Sequence, residues 1–132
     1  MTKPIWTPND AWVLQSLKLS TEDNSGATIA RLLRVGDFIN RDIIDLDTLR
    51  SAILKLGNAD LVYVKNEQVF MTEKCLQLIA NWCTSKQIHK YRDQLLNMLN
   101  SIEIKIHQNV DINFLTKQFY ETAYKQYEDN FK

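Results

Sequence analysis

The feature that most constrains this chain is a change of period halfway along it. Leu61-Val62-Tyr63-Val64-Lys65 and Gln68-Val69-Phe70-Met71 are two β-rich runs separated by Asn66-Glu67, whereas the apolar residues on either side recur at helical spacing. Two such runs predict an antiparallel hairpin over 61–65 and 68–71 with a polar two-residue tip. Strand alternation puts Val62 and Val64 on one face, Leu61 and Tyr63 on the other. Thr72 closes the hairpin and is placed to cap the next helix, with Glu73 and Lys74 in its first turn. Three glycines and two prolines in 132 residues leave little material for further tight turns. The expectation is a mainly α protein with a minor β part.

Upstream, Thr7 is a good N-cap with Pro8 at the first helical position, and Trp12, Val13, Leu14 and Leu17 gather toward one side of the helix they open. Residues 20–26 read as a loop, from which Ser25 would cap a second helix. Ile29, Leu32, Leu33 and Gly36 line that helix at i, i+3, i+4, i+7, so Gly36 predicts a close approach. Asp42-Ile43-Ile44-Asp45 reads as a brief extended bridge, with Asp45 capping a third helix to about Asn58. Leu49, Ala52, Ile53 and Leu56 form its buried stripe, and Gly57-Asn58 is a left-handed helix stop.

Beyond the hairpin, Cys75, Leu76, Ile79, Trp82 and Cys83 predict a helix. Thr84-Ser85 interrupts it before Leu95, Leu96, Met98, Leu99 and Ile102 resume the stripe. Residues 103–115 read as an irregular connection against the core, and Thr116 caps a last helix carrying Phe119, Ala123, Tyr127 and Phe131 at i+4, with Tyr120 and Tyr124 beside them.

Helix, helix, short bridge, helix, hairpin, helix is an order that resembles a winged helix-turn-helix domain. The most specific stretch runs from Leu49 to Leu76. Its ending, Phe70-Met71-Thr72-Glu73-Lys74-Cys75-Leu76, is similar to that of many bacterial winged-helix regulators, with Cys75 where those usually carry Gly. Asp37-Phe38-Ile39-Asn40 also resembles a group of bacterial winged-helix proteins with a helical C-terminal extension. The resemblance implies a winged-helix domain over 1–83 and a helical extension over 84–132, packed on the first or at a dimer interface. It makes the third helix the recognition helix and Lys65-Asn66-Glu67-Gln68 the wing, with Arg50, Ser51, Lys55, Lys65 and Arg41 as DNA-binding residues.

Charge complicates that implication. Lys plus Arg (16) equals Asp plus Glu (16), and residues 1–72 hold eight cations against nine acids, which excludes gripping nucleic acid by bulk charge. Two functions therefore stand. One is a DNA-binding transcriptional regulator acting on duplex DNA. The other is a protein–protein interaction module that has kept the fold. A cationic face where Arg31, Arg34, Arg41 and Arg50 converge beside the third helix would favour DNA, and a mixed face a protein partner. A homodimer through the C-terminal helices is compatible with both.

Chemical sites are weakly marked. Cys75, Cys83, His89 and His107 have no zinc-ligand spacing, and six residues on one helix put Cys83 and His89 on opposite sides. Asp42, Asp45 and Asp47 lack the glycine and closing glutamate of a calcium loop, so capping and solvation explain them better. The aromatic stripe of the last helix reads as packing rather than a stacking platform. No phosphate loop or nucleophile elbow occurs. The expectation is a non-enzymatic protein with no cofactor and no metal. Two cysteines make no disulfide framework, and no apolar run reaches membrane length, so a cytoplasmic protein without a membrane span is expected.

Overall fold

The computed structural model describes residues 5–21, 26–105 and 110–131, without the side chains of Asn130 and Phe131. Among them the chain forms α1 (Pro8–Ser20), α2 (Ile29–Asn40), α3 (Leu46–Asn58), β1 (Val62–Lys65), β2 (Gln68–Met71), α4 (Glu73–Trp82), α5 (Ile88–Asn100) and α6 (Lys117–Phe131). It is a mainly helical protein with one small antiparallel sheet.

The hairpin forms where the period changes. Val62 pairs with Met71, Tyr63 with Phe70, Val64 with Val69 and Lys65 with Gln68. Asn66 and Glu67 both take positive φ, 53° and 62°, the geometry whose twist matches the flanking strands. Tyr63 and Phe70 stack on the outer face at 5.1 Å. Leu61, expected beside Tyr63, is instead fully buried. It precedes the strand, its N–H held by Leu56 and its carbonyl accepting from Thr72. Ala27 adds a one-residue bridge on the other side of β2, exchanging two hydrogen bonds of 2.8 and 2.9 Å with Val69.

Helix α1 is the axle of the core, against which α2, α3 and α5 all pack. The sequence predicts one apolar side, yet Asp10, Gln15, Ser16 and Ser20 are buried as well. Burial is affordable because these groups find partners. Ser16, Ser20 and Thr21 donate to carbonyls one turn back, and Gln15 Nε2 donates to the Ile88 carbonyl at 3.0 Å. The Asp10 carboxylate accepts from both the Thr7 N–H and its hydroxyl, fixing the helix start.

Gly36 lets α2 close on its neighbours, since a Cβ there would lie 2.6 Å from Ile44 and 3.4 Å from the Ser16 hydroxyl. Its carbonyl accepts from Trp12 Nε1 at 3.0 Å. The α2 cap is Thr28, whose hydroxyl accepts from the Arg31 N–H; Ser25, the expected cap, lies outside the described residues. Residues 42–45 form no strand: Ile44 plugs the core and Asp45 caps α3 through the Thr48 N–H at 2.7 Å. The left-handed stop after α3 falls on Asp60 (φ 61°), not on Gly57, which stays helical.

Thr72 caps α4 as expected, but the buried line of α4 is Cys75, Ile79 and Cys83, leaving Trp82 exposed. Helices α4 and α5 are separate, so Cys83 and His89 share no helix. Leu95, Met98 and Leu99 of α5 and Ala123 and Tyr127 of α6 join one continuous core with α1–α4. The region after residue 84 thus packs on the region before it. No helix among the described residues is long and apolar enough to cross a membrane.

Candidate functional site

The outward sides of α2 and α3 carry most of the residues singled out from the sequence. On α3 the buried stripe is the expected one, Leu49, Ala52, Ile53 and Leu56. Its opposite side should be open to solvent, and for much of its length it is not.

The chain returning from α5 lies over it, antiparallel to α3. The Lys105 N–H donates to the Asn58 carbonyl at 3.3 Å, Val110 sits where a Cβ of Gly57 would be, and Arg50 Nη1 donates to the Leu115 carbonyl at 2.8 Å. Gly57 is what admits this layer, because a methyl there would stand 2.4 Å from Val110 Cγ2. Asn58 Oδ1 is buried without a hydrogen-bond partner among the described residues. Lys55 points the other way and is also taken. Its Nζ lies 2.6 Å from Asp10 and 3.1 Å from the Ile5 carbonyl, with side-chain exposures of 16% for Lys55 and 3% for Asp10. Of the five residues expected to touch DNA, Arg50 and Lys55 are thus spent inside the molecule. Ser51, Lys65 and Arg41 are exposed. The open remainder of α3 is Asp47, Ser51 and Leu54, an acidic and partly apolar strip.

Helix α6 covers a neighbouring region. Thr116 caps it through the Phe119 N–H. The Tyr120 hydroxyl donates to the Ile44 carbonyl at 2.8 Å just before α3, and the Tyr127 hydroxyl donates to the Asp37 carboxylate on α2. That bond, with burial and the nearby carboxylate charge adding to it, pushes the Tyr127 hydroxyl up to about 12. The hairpin tip faces α6 across a cleft of 240 Å³ lined by Thr28, Asn66, Glu67, Phe119 and Gln126. The apolar stripe of α6 is used on its own chain.

Helix α2 turns a different side outward. Arg31, Arg34, Phe38 and the C-cap Arg41 are all exposed, Phe38 to 71%. The four-arginine convergence considered from the sequence reduces to three, since Arg50 faces Leu115. Phe38 at its centre was not singled out as a site residue. Its signal was present, an aromatic off the Ile29-Leu32-Leu33-Gly36 stripe.

The other candidates do not assemble. Cys75 and Cys83 are buried free thiols. Burial, with Cys83 nearby, pushes Cys75 up to about 12, and burial pushes Cys83 up to about 11, so both stay protonated and unreactive at neutral pH. Among the described residues no three His, Cys, Asp or Glu side chains come together to hold a metal; His107 lies outside them. Asp42 and Asp45 accept from the backbone N–H groups of Ile43 and Thr48 as turn and cap residues. No protein-family model, no curated protein and no solved structure matches this chain.

Proposed function

We propose that this chain is a winged helix-turn-helix protein that works as a protein–protein interaction module rather than as a reader of duplex DNA. The order α1, bridge, α2, α3, β1, β2, α4 supports the winged-helix part. So does Ala27, which places a third strand position beside β2. The observation that carries the functional part is the layer over α3. A major groove about 12 Å wide admits a helix about 10–12 Å across with its side chains, and nothing wider. With residues 105 and 110–115 laid along its outer side, α3 is too thick to enter. The cations that would reach phosphates are also reduced, because Arg50 and Lys55 already hold the Leu115 carbonyl and Asp10. The buried free thiols fit the cytoplasm, where disulfides are rare.

The DNA-binding regulator is the second reading, favoured by the exposed Arg41 and by Lys65 beside the hairpin tip. Titration of a random duplex at about 50 mM salt separates the two. The expected result is no binding tighter than the ~10⁻⁴–10⁻⁶ M of non-specific association. Tight binding whose salt slope drops by about one unit on replacing Lys65 would establish the DNA reading instead.

A further inference from the structure

We propose that the outer face of α2, Arg31, Arg34 and Arg41 set around Phe38, docks an acidic protein segment carrying an apolar residue among its carboxylates. This rests on the reading of the chain as an interaction module and names its surface and the chemistry of its partner. At 100° and 1.5 Å per residue the four side chains share an arc of about 80° and a length of about 15 Å. The apolar stripe of α2 is already buried through Ile29, Leu32, Leu33, Gly36 and Ile39, so Phe38 is no part of it. A lone exposed aromatic is ordinary; one flanked by arginines on the same face is a socket for an apolar group with anionic neighbours.

Helix electrostatics do not explain the arginines. The macrodipole favours a cation at the C-terminus, which suits Arg41, but disfavours one in the first turn, where Arg31 stands with no acid nearby in that turn. Arg41 also holds a left-handed conformation (φ 51°), a position glycine usually fills. The carboxylate nearest in sequence does not cancel the strip, because Asp37 is turned to the Tyr127 hydroxyl. A peptide fits better than a polyphosphate chain. Asp42, Asp45 and Asp47 follow directly on Arg41 and are exposed, so a continuous polyanion extending past the strip would cross them, whereas two or three discrete carboxylates need not.

The test is selection of a displayed random peptide library, about 16 residues long, on the full chain. The enriched peptides are then synthesised and measured by fluorescence anisotropy. The expected peptides carry acids on both sides of a large apolar residue. Phe38→Ser and Arg31→Glu should each weaken them at least tenfold while leaving the thermal melt in place. Exchanging the peptide acids for lysines should reverse the preference toward the Arg31→Glu chain. Enrichment of peptides without acids, enrichment of none, or binding that ignores both substitutions would overturn the proposal. Binding that ignores both would still leave an interaction module using another face. Random single-stranded oligonucleotides that lose binding on those two substitutions would overturn it in favour of nucleic acid. Duplex binding that depends on Arg50 and Lys55 would instead remove the interaction-module reading itself.

Discussion

Helices α2 and α3 are built alike and used differently. They have 12 and 13 residues, each is capped by one side chain, Thr28 or Asp45, and each buries a single apolar stripe against α1. On α3 the outward side becomes an inner surface: Gly57 admits Val110, Arg50 holds the Leu115 carbonyl, and Lys55 is drawn to Asp10. On α2 the outward side keeps Arg31, Arg34, Phe38 and Arg41 in solvent. What separates the two is the path of the chain after α5, which passes over one helix and leaves a face of the other bare. A cation on a helix's polar side is a binding group only if no later segment needs it.

The largest test of that difference is Lys55→Ala. If Lys55 were a solvent-facing contact, its loss would change stability by no more than about 0.5 kcal/mol. As the partner of a carboxylate only 3% exposed, its removal should cost about 3 kcal/mol, the low end for a broken buried pair, because Thr7 still donates twice to Asp10. Urea unfolding measures it. A variant as stable as the parent would return Lys55 to the list of free cations.

Next in size is Gly57→Ala. On a bare helix face this change gains about 1 kcal/mol in propensity. Here the new methyl meets Val110 Cγ2 at 2.4 Å, so a net loss of about 1–2 kcal/mol is expected. Val110→Ala in the same chain should recover most of it, and a double-mutant cycle reads the coupling. Stabilisation by Gly57→Ala alone would mean that the layer lifts from α3 at little cost.

Local signals in the sequence located the elements well, because caps and periods act within a few residues. Thr7, Asp45, Thr72 and Thr116 all sit at the helix starts expected of them, and the hairpin lies where the period changes. The misses lie where distant segments decide. Gly57 reads as a helix stop because glycine favours left-handed turns, yet it stays helical and its missing Cβ serves Val110, 53 residues later in the chain. Arg50 and Lys55 read as groove contacts because each stands on the polar side of α3, and no local pattern encodes Leu115 or Asp10 as their partners. Helix α1 reads as one-sided since its buried serines look polar, until their bonds to carbonyls one turn back are counted. The face of α2 was half legible, its arginines by charge and Phe38 only by its place off the stripe.

The smallest effect probes how α6 is held beside the open face of α2, and it carries a pH signature that the layer over α3 lacks. Tyr127→Phe removes the hydroxyl that donates to Asp37 and should cost about 1–2 kcal/mol at neutral pH, within the range for a bond to a charged acceptor. The hydrogen bond, then burial, raises the hydroxyl from 10.0 to about 12, so the folded state keeps this proton longer than the unfolded chain does. Its contribution is therefore fully present below pH 10 and is lost as pH rises toward 12. Cys75 and Tyr91 are also raised to about 12, and they weaken the fold over a similar alkaline span. They do so equally in parent and variant, so the difference between the two chains isolates Tyr127. That difference should be constant from pH 7 to about 9.5 and shrink to near zero by pH 12, followed by urea unfolding at each pH. The contacts over α3 are made by Val110, the Leu115 carbonyl and an arginine that stays charged throughout, so Gly57→Ala should cost the same at pH 7 and pH 11. A Tyr127→Phe difference as flat as that one would show that the hydroxyl does not clamp α6 to α2.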